Sequence, residues 1–384
     1  MDLKAANLAP KLIHDINEDT VLLWFEKSNR YVVTSKINSK LIELYLNPDE
    51  SRDSFVTNIS CDFQLKRDEA NSLANDISTF LEDVNIENES ISSIDSSNKA
   101  LSNFIEDSYK FNDKIVTIRY ESDVIKGLIH PQIEHHSVNN STNHDVVFEV
   151  FKQNDDLHLI KNGTAIGSFK TKSFHFLQGK FALELTNVIH NTIIENWIAT
   201  FHASTISNGK ESIMIIGDSG NGKSTLSVLL MAHGYDILCD DFTPLYENNL
   251  ELYRYPAATS IKKGAFEALK PYLNGIDDLK THTNGPKKVN IKYVPPILNF
   301  ESQASSFPCH KIVYVKYDTS KKDSLDLVSS EKILETLIPD SWISPKEAHA
   351  VKFINWFKKI DCYQLNYSNN NFAISKFKDL FEDS

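Results

Sequence analysis

Apolar residues gather early in short β-rich runs. Val21-Leu22-Leu23-Trp24-Phe25 and Tyr31-Val32-Val33 flank the turn-like Glu26-Lys27-Ser28-Asn29, a pattern that predicts a hairpin. The period then changes: Ile37, Leu41, Leu44 and Tyr45 recur at helical spacing, and a second apolar stripe runs through Leu73, Ile77, Phe80, Leu81 and Val84. Residues 1–85 therefore read as a small α+β domain. From Asn85 the chain is rich in Ser and Asn without periodicity, so residues 86–108 read as a linker.

Beyond the linker, Ile115–Tyr120, Val146–Phe151 and Leu157–Ile160 alternate with turn signals at Asn154-Asp155-Asp156 and Asn162-Gly163. Residues 109–180 thus predict a β-rich segment, in which the polar stretch His135–His144, with Asn139, Asn140 and Asn143, reads as a surface loop. Leu185, Val188, Ile189, Ile193 and Trp197 share one face of a helix predicted over Phe181–Trp197. Later, Lys311–Tyr317 and Cys362–Leu365 predict strands, and Lys332–Leu337 and Ile374–Phe381 predict helices.

Composition bounds what such a chain does. At 384 residues it exceeds one ordinary domain. It contains 41% hydrophobic and 24% charged residues, as soluble globular proteins do. There is no apolar run long enough to span a bilayer and no basic flank with an apolar stretch at the start, so the expectation is a cytoplasmic protein without a membrane partner. A net charge of −12 disfavours a nucleic-acid partner, because phosphate neutralisation needs clustered Lys and Arg. Cys61, Cys239, Cys309 and Cys362 are far apart and lack metal-ligand spacing, so they read as reduced, buried side chains.

Candidate chemistry lies in the last half. Gly217-Asp218-Ser219-Gly220-Asn221-Gly222-Lys223-Ser224-Thr225 fits the pattern GxxxxGK[ST], between the strand-like Ser212–Ile216 and the helix-like Leu226–Met231. That order suits a phosphate: small residues let the backbone wrap it, while loop N–H groups and a helix N-terminus turn partial positive charge toward it. Lys223 would neutralise β- and γ-phosphates and Ser224 would meet Mg²⁺. After a helix stop at His233-Gly234, Tyr235–Cys239 reads as a short strand on the next position of the sheet, delivering Asp240-Asp241 to the same edge as the loop. Two carboxylates there divide the work, one accepting a proton from an attacking hydroxyl and one holding Mg²⁺ or an orienting partner. His202, in the run Ile198–Thr205, is a core histidine or an imidazole aimed at Asp241 or a phosphate.

With these residues in order, the stretch from Ile198 to Tyr246 resembles the catalytic domain of HPr kinase/phosphorylase and its relatives. The resemblance implies an α/β fold, a P-loop kinase core related to phosphoenolpyruvate carboxykinases, over residues 181–384 of a 109–384 domain. It further implies ATP and Mg²⁺, Asp240 as base toward a serine hydroxyl, Asp241 and Ser224 as metal or orienting groups, and His202 in support. Related kinases are often oligomers, so a homo-oligomer is admitted. The chain departs from the family after Asp241. In place of a Glu-Ile-Arg-Gly signature it has Glu251–Pro256 and Ser260–Gly264, and it is similar in this to divergent kinases of peptide-modification pathways. Arg254, Lys262, Lys263, Lys287 and Lys288 are the candidates for steadying transition-state charge.

The first 85 residues resemble PqqD-like, winged-helix-like domains, with Trp24–Tyr31 at the hairpin. Such domains recognise leader peptides of ribosomal peptide precursors by adding them as a strand to a sheet edge. The combined expectation is a peptide or protein kinase acting on a Ser hydroxyl. Alternatives are a small-molecule kinase of the same fold and a nucleotide-gated binding or assembly ATPase.

Overall fold

A computed structural model describes residues 8–87, 103–139, 143–284, 289–298 and 300–382. It is a mixed α/β protein with several sheets. The chain divides into two compact units: Met1–Glu89 with Ser329–Pro339 and Ile343–Lys359, and Ser90–Val328 with Asp340–Trp342 and Ile360–Ser384.

In the first unit, strands β1 (Leu12–Asp15), β2 (Thr20–Phe25) and β3 (Arg30–Ser35) form an antiparallel sheet in the order β1-β2-β3. The hairpin turn closes with Asn29 in the left-handed region (φ 52°), where its side chain accepts from the Trp24 indole at 2.9 Å. Helices α1 (Lys36–Tyr45), α2 (Arg52–Asp62) and α3 (Arg67–Val84) follow. Ser35 and Ser51 cap α1 and α2 by accepting from the N–H groups three residues on. Val21, Leu23 and Phe25 face Leu41, Phe55, Ile59 and Leu81. Yet all six residues of β2 are buried, so its other face is also covered. Two helices from far along the chain, Ser330–Leu337 and Glu347–Phe357, belong to this unit. Thr20 donates to Glu331, and Phe353 packs edge-on to Tyr31 at 5.6 Å.

The second unit begins with strands β4 (Ile105–Phe111), β5 (Lys114–Tyr120), β6 (Val146–Gln153), β7 (Asp156–Lys161) and β8 (Thr164–Lys170), paired in that order. Residues 105–108, read from sequence as the end of a linker, are thus the first half of a strand. Within that stretch, residues 88–102 lie outside the described residues. Of the expected 135–144 loop, residues 140–142 also lie outside them, and His135-His136 form part of a short 3₁₀ turn, with His136 packed on Phe111. Helix α4 covers Phe174–Ile189 rather than Phe181–Trp197. Asn191 adopts a left-handed conformation (φ 50°) that ends it, and Trp197 opens a strand.

The central sheet then assembles from β9 (Trp197–Phe201), β10 (Ser204–Ser207), β11 (Ser212–Ile216), β12 (Asp236–Cys239), β13 (Thr243–Tyr246) and β14 (Glu251–Tyr253). A smaller sheet contains β15 (Thr259–Lys262), β16 (Thr281–Asn284) and β17 (Val289–Val294), with β17 in the middle. The long β18 (Ser306–Tyr317) returns to the central sheet, followed by β19 (Ser324–Leu327) and β20 (Asp361–Tyr367). The order includes β12-β10-β11-β18-β14-β13-β9, with β20 beside β18. β11, β18 and β20 are mutually parallel, whereas β10 runs antiparallel to both β11 and β12. Helices α5 (Lys223–Met231) and α6 (Asn370–Glu382) cover one face, where Leu226, Leu229 and Phe377 pack with Ile213, Ile215, Val313 and Leu365.

Candidate functional site

Strand β11 ends at Ile216, and the chain turns through three glycines in positive φ before α5 begins: Gly217 (151°), Gly220 (95°) and Gly222 (90°). Gly217 has a further reason to lack a side chain, since a Cβ there would lie 2.7 Å from the Val315 carbonyl oxygen on β18. Asp218, Ser219 and Gly220 are exposed at the tip, and Asn221 donates its N–H back to the Asp218 carbonyl at 3.1 Å. Lys223 is buried, and its ammonium lies across the loop, donating to the Gly217 carbonyl at 2.6 Å. Ser224 and Thr225 follow in the first turn of α5. The result is a concave turn at a helix N-terminus with one ammonium inside it, which suits an oxyanion.

Asp240 and Asp241 leave the end of β12 on the same edge of the sheet. They are not on the strand next to the loop, as the sequence suggested: antiparallel β10 is inserted between β11 and β12. Because both flanking strands run the same way, the acids still reach the loop, and β10 starts there too. Its first residue, Ser204, donates to Asp240 Oδ1, and Ser224 donates to the same oxygen at 3.2 Å. Asp240 is buried; loss of water, then the charge of Asp241, raise its pKa to about 8 against the opposing effect of the two hydroxyls and Lys223. Asp241 is exposed and held in the left-handed region (φ 60°), an uncommon conformation that turns its carboxylate toward His202 at 3.8 Å. His202 itself sits in the turn between β9 and β10 rather than inside a strand.

Of the downstream cations, Arg254 is excluded from the loop edge by its pairing. It is 3% exposed and forks onto Asp236 at the start of β12, with a further bond to the Ile237 carbonyl at 3.2 Å. Lys262 and Lys263 end β15 and begin a 3₁₀ turn, both exposed. Lys287 and Lys288 lie outside the described residues. Two contacts escaped sequence reading. Ser204 stands two residues after His202 but carries no motif of its own. Tyr314, within the apolar strand β18, donates to Asp218 Oδ2 at 2.6 Å.

Among the described residues no group of three or more His, Cys, Asp or Glu side chains is gathered as for a metal ion. The donors near Ser224 are a hydroxyl and carboxylates, hard oxygens that suit Mg²⁺ sharing its shell with water and phosphate. In the first unit, a groove of about 430 Å³ is lined by Pro10, Ile13, Ile42, Leu44 and Leu46, with Lys40 and Glu43 also among its lining residues. Among the described residues no helix is long and apolar enough to cross a membrane.

No family model and no curated protein matches the chain. Among solved structures it is similar to the Hpr(Ser) kinase/phosphatase from Coxiella burnetii, at 14% identity over 48% of this chain and 99% of that one, with a TM-score of 0.24.

Proposed function

We propose that this chain is a kinase of the HPr-kinase-like kind, transferring the γ-phosphoryl group of ATP to a serine hydroxyl of a peptide or protein, such as a ribosomal peptide precursor. The observation that carries the reading is the meeting of Lys223, Ser224, Ser204 and Asp240 at one sheet edge, below a left-handed glycine loop. A phosphate in the loop offers Lys223 a charged acceptor in place of the Gly217 carbonyl. Residues Gly217–Thr225 would cradle the phosphates. Asp240, whose pKa is raised to about 8, would take the proton of a hydroxyl in its ionised form. Mg²⁺, held by Ser224 and Asp241, would supply charge neutralisation on the phosphates. His202 would orient Asp241 through the 3.8 Å contact.

The Ser224–Asp240 hydrogen bond also favours a second division, with Asp240 beside the metal and Asp241 with His202 facing the acceptor. Activity as a function of Mg²⁺ separates the two. A variant at the metal-holding position needs more Mg²⁺, whereas one at the base position loses rate at every concentration. Residues 1–85 would supply peptide recognition, and the edges of the β1-β2-β3 sheet, which pair with no further strand among the described residues, and the Ile13–Ile42 groove support that assignment. The direct test is transfer of label from γ-labelled ATP to peptides encoded beside this chain's own gene, comparing wild type with Asp240→Asn. Labelled serine with wild type alone supports the kinase. Free phosphate without labelled peptide moves the nucleotide-gated ATPase ahead, and label on a metabolite moves the small-molecule kinase ahead.

A further inference from the structure

Strand β18 touches the glycine loop at three successive places. The Val315 carbonyl closes against Gly217, the Tyr317 N–H donates to the Asn221 carbonyl at 3.2 Å, and the Tyr314 hydroxyl donates to Asp218 Oδ2 at 2.6 Å. The Asn221 amide reinforces the last of these, donating to Tyr314 Oη at 3.2 Å and to Asp218 Oδ2 at 3.3 Å. Two of these contacts are backbone, and the first of them asks only for a glycine at 217. The third depends on side chains and concerns a carboxylate within a loop read as a polyphosphate cradle. A carboxylate there opposes the charge it would share space with, by simple Coulomb repulsion between like charges. Turned onto Tyr314 and Asn221, it is held toward β18 and part of its charge is taken up by two donors.

Resting on the nucleotide reading above, we propose that Tyr314 is a positioning residue for the phosphate loop. Its hydroxyl holds the Asp218 carboxylate away from the bound polyphosphate, so that it tunes affinity according to ligand charge. Tyr314 acts through Asp218 and touches no reacting atom. Loss of its hydroxyl leaves the ring packed but releases the carboxylate toward the anion.

The test is the affinity of the full chain for ATP, ADP and AMP with magnesium chloride, in wild type, Tyr314→Phe, Asp218→Asn and the double variant. Thermal unfolding of each confirms that the fold is kept. Tyr314→Phe is expected to weaken ATP binding about ten-fold, the size of one lost hydrogen bond to a charged group. The loss should shrink from ATP to ADP to AMP, and it should fall below about two-fold when residue 218 is Asn, because no charge is then released. An equal loss in both backgrounds, or for all three nucleotides, would show a packing role only and overturn the proposal, as would unchanged affinity in Tyr314→Phe. Failure of the wild type to bind any of the three would remove the nucleotide reading and this inference together.

Discussion

Strands β2 and β11 are both wholly buried, yet different parts of the chain complete them. β11 carries its chemistry within a dozen residues: strand, glycine loop, Lys223 and helix follow without interruption. β2 has helices α1 to α3 beside it in sequence, but its second face is covered by segments some three hundred residues later. A site built locally announces itself in sequence, whereas a core built from distant segments leaves only the hint that a strand has no polar face.

That contrast can be broken or sharpened by substitution. The largest effect is expected where a buried ion pair joins β12 to the segment after β14. Arg254→Met should cost about 3–5 kcal/mol in urea unfolding, because Asp236 remains buried without its partner. Adding Asp236→Leu should recover most of that loss; a small effect of the single change would mean that Arg254 is free for another task. Phe353→Ala should cost about 3 kcal/mol or somewhat more. A cost below about 1 kcal/mol, against that range for a buried aromatic, would mean that the distant helix is not needed to cover the sheet. Gly217→Ala is expected to cost about 1–3 kcal/mol from its φ and the Val315 oxygen, and to abolish nucleotide binding. Nucleotide affinity equal to wild type in that variant would show a loop more yielding than its geometry.

A further effect is read as a slope with pH rather than as a single loss. Burial and Asp241 raise Asp240 from an ordinary value of 3.8 to about 8, so the folded protein holds a proton that the unfolded chain releases. The stability this contributes is fully present below the unfolded value and is lost as pH rises through the folded one. Melting temperature in Asp240→Asn should therefore decline less across that interval than in wild type. Identical slopes would mean that Asp240 is ionised throughout.

Part of the site was legible because its spacing is local: the glycine loop joins β11 to α5, Gly234 follows the end of that helix, and both acids stand at the end of the next strand in sequence. Strand order was not legible, since nothing in Tyr235–Cys239 says that β10 would insert between it and β11. Arg254 stands among five candidate charge clamps in sequence because its pairing with Asp236 exists only once β12 and the segment after β14 come together. Tyr314 and Ser204 were missed for the same reason, each meeting the site across strands. The helix Glu347–Phe357 has an apolar face, but its partner, the outer side of a hairpin at the other end of the chain, could not be read from its own residues.

The central claim is that Gly217–Thr225 holds nucleotide phosphates. Calorimetric titration of the full chain with ATP and Mg²⁺, in wild type and Lys223→Ala, tests it most directly. The account predicts saturable binding to wild type and none to the variant at the same concentrations, with both proteins folded. Equal binding to the two, or no binding to wild type, would contradict it.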